Sequence, residues 1–186
     1  RIVRPTLTGL SDRGYYYRGV LFVGVMLTDC GPQVLEYNVR LGDPETQAIL
    51  PRLQSDLLPL LLSTARGRLR DAAPLWSDAV AVTVVAASRG YPKCYETGFP
   101  ISGVEPPPSR RRLWESPSLP VPFFAGTTVT GDSLLRTAGG RVLAVTGLGA
   151  DRAAAREAAY RRLRTIHYEG IYYRSDIPFT PQMDNP

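Results

Sequence analysis

The sequence predicts an α+β fold in which antiparallel hairpins pack against helices. Residues 19–28 form a valine-rich apolar run that predicts a buried strand. Within residues 34–40, apolar and polar side chains alternate from Leu35 to Arg40. A turn is predicted between them at residues 29–33, which contain glycine and proline, and two such segments around a turn are typical of a β-hairpin. Residues 79–87 form a second apolar run of strand length, whereas residues 151–166 are rich in alanine and arginine and favour a helix capped by Asp151.

Helical sequence is also predicted between these two strand regions. It starts with Asp43 as N-cap and Pro44 at the first helical position, which suits a residue without a backbone N–H. It continues to about Arg70, with interruptions at Pro51 and Pro59. The leucines at helical spacing are expected in the core: Leu53, Leu57, Leu58, Leu61 and Leu62.

A linker-like stretch at residues 71–77 divides the chain into two predicted domains, residues 1–75 and 76–186. Within the second, residues 104–122 hold six of the 17 prolines and predict an irregular loop. The sequence begins at Arg1 rather than at a methionine, so we expect it to be a fragment of a longer protein or a processed product. Short strands or extended pieces are expected at residues 122–130, 141–146 and 170–174.

Composition and charge exclude several classes of protein. The net charge is +5, but the 22 basic residues are scattered, and their one cluster, residues 110–112, lacks the interleaved aromatics of a nucleic-acid site. No apolar run approaches the roughly 20 residues that span a bilayer. Cys30 and Cys94 lie too far apart for a local metal knuckle and indicate a reducing compartment. We therefore expect a cytoplasmic protein without nucleic-acid or membrane partners.

The pattern Glu36-x-Asn38-x-Arg40 carries the candidate chemistry. Residues two apart on a strand project from one face, so a carboxylate and an amide carbonyl can ligate one Mg²⁺, or bridge two, with phosphate oxygens as the other ligands. A guanidinium farther along the same face can neutralise charge on a transferring phosphoryl group. The same three residues also fit a solvated strand face without a function.

Asp43 and Glu45 have two interpretations. An Asp-Pro-Glu sequence at a helix start is explained by capping and by the helix dipole alone. A helix N-terminus directly after a metal-binding strand is also a place where a carboxylate or an acyl phosphate can bind.

Residues 34–47, Val-Leu-Glu-Tyr-Asn-Val-Arg-Leu-Gly-Asp-Pro-Glu-Thr-Gln, resemble the closing segment of the ATP-grasp domain in glycinamide ribonucleotide synthetases. Residues 19–27 resemble the strand that precedes it in that family. Further similar segments follow in the order of the family and extend the resemblance over nearly the whole chain: residues 55–57, 90–92, 125–127, 139–143 and 173–177.

The resemblance implies that residues 1–75 are the C-terminal portion of an ATP-grasp domain and that residues 76–186 are a small α+β or β-barrel-like C-terminal domain. It also implies an ATP-dependent ligase of de novo purine biosynthesis. Such an enzyme joins glycine to 5-phosphoribosylamine through a glycyl phosphate and releases glycinamide ribonucleotide, ADP and phosphate. By the same resemblance, Glu36 and Asn38 match ligands of Mg²⁺ or Mn²⁺, and Arg40 matches a position that faces the phosphates. Asp43 and Glu45, at the helix start, are further candidates for substrate contact. Arg141 follows two glycines in a turn similar to that of the family, and either a contact with substrate or a plain salt bridge explains it.

The chain also departs from the family pattern. Phe124 replaces a histidine before Ala-Gly-Thr, Pro178 replaces a glycine after Asp-Ile, and residues 101–123 form a longer connection. The adenine contacts, a phosphate-binding lysine and a glycine-rich lid belong to an N-terminal portion that precedes this sequence in the family. We therefore expect this chain alone to be inactive and to need that portion as its partner.

Two alternatives stay open from the sequence. The chain could be a non-catalytic remnant or binding module. It could also derive from another ATP-grasp ligase or a carboxylase, since these share the Glu-x-Asn-x-Arg pattern; the Gly-Asp-Pro-Glu-Thr-Gln continuation at residues 42–47 argues against this second alternative.

Overall fold

The computed structural model describes residues 1–71, 73–104 and 120–178, and the predicted loop at residues 104–122 lies almost entirely outside them. The chain divides into two compact units. The first comprises Arg1–Thr46 and Leu53–Trp76, and the second comprises Gln47–Arg52 and Ser77–Pro186. No helix in the three described ranges is long and apolar enough to cross a membrane.

The first unit contains the predicted hairpin, preceded by helix α1 (Val3–Asp12). Strand β1 (Phe22–Thr28) pairs antiparallel with β2 (Gly31–Asn38). The turn is shorter than the predicted residues 29–33, because Thr28 already pairs with Gly31. Gly31 has a φ of +95°, a conformation that glycine adopts without steric cost, and this allows β2 to begin directly after a two-residue loop.

A β-bulge interrupts the alternation expected for β2. Gly24 pairs with Glu36, but the next residue of β1, Val25, pairs with Val34, so Leu35 is an extra residue in β2. A bulge bends its strand and redirects the neighbouring side chains. The strand ends at Asn38, so the prediction of strict alternation through Arg40 is wrong at both ends of the segment.

The burial predicted for the apolar strand and for the leucines of this unit is also wrong. Met26 and Leu27 in β1 are 52% and 72% exposed, and Leu58 in helix α3 (Leu57–Ala65) is 68% exposed. Leu61 and Leu62 are exposed as well, and no residue of α3 is buried. Apolar spacing creates an apolar face, but burial requires a second layer against it. Among the described residues of this unit, no such layer covers these faces.

The helical segments differ from the prediction in their starts and breaks. Helix α2 (Glu45–Ile49) begins one residue after Pro44, and a hydrogen bond of 3.1 Å from Thr46 N to Gly42 O closes the turn before it. Pro51 lies in a 3₁₀ helix, Leu50–Arg52. The Asp56 carboxylate caps α3 by accepting from Leu58 N at 2.9 Å, which places Pro59 in the first turn, where proline is tolerated. A second 3₁₀ helix, Leu69–Asp71, follows.

The second unit is built on a four-stranded antiparallel sheet with the order β4-β7-β3-β8. The predicted strand at residues 79–87 is confirmed as the mostly buried β3 (Val80–Ser88), which pairs with β7 (Arg141–Gly149). Strands β4 (Val121–Phe124) and β8 (Ile171–Tyr172) complete the sheet. A separate ribbon joins β5 (Thr127–Val129) to β6 (Leu135–Thr137), a strand that was not predicted.

Helix α4 (Arg152–Leu163) packs on β7 through small residues. The cap predicted for Asp151 is confirmed, since its carboxylate accepts from Ala154 N at 2.7 Å. Ala155 and Ala159 are fully buried, and a side chain added at Gly147 would overlap the backbone of both. The alanine-rich composition of α4 is therefore explained by its close approach to a strand that lacks side chains at the contact.

The segment after β8 is fastened to α4. Tyr160 Oη donates to Arg174 O at 2.6 Å and accepts from Ile177 N at 3.1 Å. Arg156 donates to Ile177 O at 3.0 Å and to Ser175 O at 2.8 Å, and its guanidinium lies 4.8 Å from the centre of the Tyr160 ring. These contacts join backbone near the end of the described chain to one face of α4.

Candidate functional site

A recess of about 480 Å³ opens between the hairpin and the start of α2, within the first unit. Two carboxylates, those of Glu36 on β2 and Glu45 on α2, line it together with apolar residues and one glycine. The remaining lining residues are Phe22, Val23, Gly24, Val25 and Leu35. The structure thus places in one recess two acids that the sequence analysis had treated separately.

Glu36 and Asn38 project from the same face of β2, as predicted. The Asn38 amide Nδ2 donates to Glu36 Oε1 at 2.9 Å, Glu36 is exposed and Asn38 is half-buried. A half-turn of the Asn38 amide about its Cβ–Cγ bond brings its carbonyl oxygen to the position of Nδ2. Two oxygens on adjacent corners of a magnesium octahedron, each about 2.1 Å from the ion, lie about 3.0 Å apart. The spacing of these two side chains therefore fits a shared divalent cation.

The protein ligands that this pair can offer are few. Among residues 1–71, 73–104 and 120–178, no group of three or more histidine, cysteine, aspartate or glutamate side chains is arranged to hold a metal ion. A cation at Glu36 and Asn38 would therefore take most of its ligands from water or from phosphate oxygens, as is usual for Mg²⁺ in nucleotide sites.

Arg40 does not share the strand face with Glu36 and Asn38. It lies beyond the last residue of β2, is exposed, and donates from Nη1 to Leu41 O at 2.9 Å. The prediction of a common strand face for all three residues is wrong, because β2 ends at Asn38 and Arg40 lies beyond the strand.

The remaining predicted site residues lie in different places. Asp43 is exposed in the turn before α2 and is not among the lining residues of the recess, whereas Glu45 is. Arg141 begins β7 in the second unit and pairs with Ala87. Phe124, at the position where the resemblance stated above implies a histidine, lies in β4 opposite Leu143 and packs against the core of the second unit.

The second unit also contains an electrostatic cluster that the sequence analysis missed, in the β5–β6 turn. The Asp132 carboxylate accepts hydrogen bonds from Thr130 Oγ1, from Arg136 Nη2 at 2.9 Å and from Leu134 N at 3.2 Å. The Thr130 hydroxyl above all, and then the Arg136 guanidinium, hold the pKa of Asp132 at about 2. Gly-Asp-Ser at residues 131–133, after the β-branched run Thr-Thr-Val-Thr, was the available sign of this turn.

Comparison with known proteins places both units in one family. The family model for the phosphoribosylglycinamide synthetase C domain matches residues 81–180, and the model for the ATP-grasp (A) domain of the same synthetase matches residues 1–46. A phosphoribosylamine–glycine ligase from Rhizobium meliloti is 44% identical over 176 residues, and one from Caldanaerobacter subterraneus is 45% identical over 177 residues. Each match covers 95% of this chain, but 39% and 40% of the relative.

A solved structure supports the same relationship. The crystal structure of phosphoribosylamine–glycine ligase from Thermotoga maritima matches with a TM-score of 0.74 and 39% sequence identity, over 91% of this chain and 39% of that one. The chain thus spans about two fifths of the length of the relatives that it matches. These findings confirm the α+β class and the resemblance stated from the sequence: the chain belongs to the phosphoribosylglycinamide synthetase family.

Proposed function

We propose that this chain supplies the metal-binding strand and the C-terminal domain of an ATP-dependent ligase. The ligase joins glycine to 5-phosphoribosylamine and releases glycinamide ribonucleotide, ADP and phosphate, a step of de novo purine biosynthesis. The observation that carries the proposal is the 2.9 Å contact between Glu36 and Asn38 beside a recess with a second carboxylate. The identity of the proposed substrates is taken from the synthetase family to which the chain belongs.

Glu36 and Asn38 are assigned to hold Mg²⁺ or Mn²⁺. When bound, the ion neutralises charge on the phosphate oxygens of ATP and so favours attack at phosphorus. Arg40, although outside the strand, is exposed on the chain two residues after Asn38 and is assigned to the same phosphates. Asp43, Glu45 and Arg141 are assigned to substrate.

The reaction needs two displacements. A carboxylate oxygen of glycine attacks the γ-phosphorus of ATP, the bond to the bridging oxygen breaks, and ADP leaves. The amine nitrogen of 5-phosphoribosylamine then attacks the carbonyl carbon of the glycyl phosphate, the C–O bond breaks, and phosphate leaves while the amine loses a proton. The side chains of this chain bind and orient the reactants, which accounts for much of catalysis in phosphoryl transfer.

The proposed domains have the boundaries that were predicted from the sequence. Residues 1–75 form the C-terminal portion of the ATP-grasp domain and residues 76–186 form the C-terminal domain of the synthetase. The proposed partners are ATP, glycine, 5-phosphoribosylamine and the N-terminal portion of the same enzyme, in the cytoplasm. Nucleic acid and membrane are not among the proposed partners.

The test replaces each proposed metal ligand in a complete enzyme, made by joining this chain to the N-terminal portion of the Rhizobium meliloti relative. Glu36→Gln and Asn38→Ala are each expected to lower kcat by roughly a hundredfold or more while the fold persists, because each removes an electrostatic stabiliser of the transition state. Release of ADP and formation of glycinamide ribonucleotide are measured at saturating Mg²⁺.

Asp29→Asn is the matched control, since Asp29 is an exposed carboxylate in the turn at the opposite end of β2. Its turnover is expected to stay normal. Normal turnover of either ligand variant would refute the metal assignment. Inactivity of the unmutated enzyme, despite demonstrated folding, would favour a non-catalytic role.

A further inference from the structure

Two glycines of the first unit lie against the side chains of the two glutamates that line the recess. Gly24 pairs directly with Glu36 across the hairpin, and a Cβ added to Gly24 would lie 3.0 Å from Glu36 Cγ. A Cβ added to Gly42 would overlap the Glu45 carboxylate and lie 3.0 Å from both Cβ and Cδ of Glu45. The Glu45 carboxylate therefore folds over Gly42, whereas at Gly24 it is Cγ of Glu36 that comes close to the glycine.

Backbone conformation does not explain either glycine. Neither Gly24 nor Gly42 is among the residues with positive φ, so alanine could adopt the same backbone at both positions. The three atoms nearest to the added Cβ at Gly42 all belong to the side chain of Glu45. What glycine provides is space for a glutamate side chain, namely for the carboxylate of Glu45 at Gly42 and for Cγ of Glu36 at Gly24.

We infer that Gly42 is a positioning residue for Glu45, and Gly24 for Glu36, so that both carboxylates act on one cationic group in the recess. This inference rests on the proposed function. Two carboxylates beside one recess favour a cation, which can be a divalent metal ion or the ammonium group of glycine. The two glycines thus have a role that acts entirely through their neighbours.

Alanine at Gly42 should act mainly on the Glu45 carboxylate. The closest overlap is with Oε2, at the far end of a flexible side chain that can rotate away. The contact with Glu45 Cβ at 3.0 Å needs only a small shift of that residue. The carboxylate would then leave its place beside the recess. Alanine at Gly24 meets Glu36 Cγ less closely and should have a smaller effect.

The first arm of the test detects the position of Glu45 without any ligand. The chain is labelled with ¹³C-carboxyl glutamate, and the Glu45 resonance is assigned by its loss in Glu45→Ala. Gly42→Ala is expected to shift this resonance. Gly131→Ala, where no atom lies within 4 Å of the added Cβ, is expected to leave it unchanged. An unshifted resonance in Gly42→Ala would overturn the inference.

The second arm is a double-mutant cycle of Gly42→Ala and Glu45→Ala, and it separates the two cations. Mn²⁺ affinity is titrated on the chain, and the KM for glycine is measured in the joined enzyme. Gly42→Ala is expected to weaken binding of the cation in the recess about tenfold, as is typical when a residue that orients a ligand group is changed. The weakening appears in Mn²⁺ affinity if the cation is the metal, and in the KM for glycine if it is the ammonium group.

In the Glu45→Ala background, Gly42→Ala should have no further effect, because it has no carboxylate left to displace. An effect of the same size in both backgrounds would overturn the inference, since Gly42 would then act by another route. Failure of the proposed function gives a different result. The unmutated joined enzyme would form no product, while the carboxyl resonance would still decide whether Gly42 positions Glu45.

Discussion

At the scale of single residues, Asp132 shows how a short turn is held by charge. Its carboxylate accepts from two side chains and one backbone N–H within the β5–β6 ribbon, and Ser133 in the same turn has a φ of +62°. A non-glycine residue rarely adopts such a φ without support from its surroundings. The ionised carboxylate provides that support by fixing Thr130 and Arg136 on either side of the turn.

This arrangement predicts a pH dependence. The pKa of Asp132 is lowered to about 2 in the folded chain, below its ordinary value of 3.8, so the ionised form is favoured by folding. The stability that it contributes is fully present above the ordinary value and is lost as the pH falls through about 2. Asp132→Asn should therefore lower the Tm at pH 7. The difference in Tm from the unmutated chain should shrink between about pH 4 and pH 2, the interval between the ordinary and the lowered pKa. A difference that stays constant with pH would contradict this account.

At the scale of elements, the contact between α4 and β7 depends on missing side chains. Gly147 and Gly149 face the backbone of the helix near Ala155, so the helix lies closer to the strand than side chains would permit. The buried residues of α4 are two alanines together with Tyr160 and Leu163. Packing at this distance lets the backbone itself contribute contacts.

Gly147→Ala should therefore destabilise the second unit. The added methyl would overlap backbone atoms of α4, and no rotation of a side chain can relieve that overlap. We expect a loss of about 1–3 kcal/mol in the free energy of unfolding, the usual cost of overpacking a core. Urea denaturation measures it, with Gly131→Ala as the control in open space. Equal stability of the two variants would show that α4 can move away from β7 at little cost.

The elements whose signals are local were predictable from the sequence. The cap at Asp151 and the buried strand β3 were both found, because an N-cap and an apolar run each act within a few residues. The bulge at Leu35 was missed, since a one-residue insertion is defined only by the partner strand. Gly24 inside an apolar run was the available sign of it, because an isolated glycine in a strand indicates a bulge or a close approach.

The candidate site was predictable only in part, because only some of its geometry depends on local sequence. Period-two spacing was enough to place Glu36 and Asn38 on one face. The approach of Glu45 to the recess was not, because it depends on how the chain turns between β2 and α2. Burial of the leucines of α3 was predicted wrongly, since spacing identifies an apolar face but does not supply what covers it.

At the scale of the whole molecule, the two units differ in how well they are packed. The second has a continuous core around β3, β7 and α4, whereas the first leaves large apolar side chains of its hairpin and of α3 exposed. Exposed apolar surface of this kind marks an interaction site or a tendency to associate. The relatives are about two and a half times as long as this chain, by the coverage of 39–40%.

A polypeptide of residues 1–186 alone is therefore expected to show no ligase turnover and to bind a hydrophobic dye. The purified chain is supplied with ATP, Mg²⁺, glycine and 5-phosphoribosylamine, and ADP and glycinamide ribonucleotide are measured. Addition of the N-terminal portion of a relative in trans should reduce dye binding and give turnover. Turnover by the chain alone would contradict the prediction, and continued inactivity of a demonstrated complex would favour a non-catalytic role.

The hydrogen bonds that attach the segment after β8 to α4 have a mechanical consequence. Tension applied to the chain at Ile177 would pass through Tyr160 and Arg156 into α4, because both side chains hold the backbone of that segment. Strand β8, with only two paired residues, would carry little of the load. Several hydrogen bonds would share the force at once, so the sheet would stay intact until the whole set of contacts to α4 gave way together.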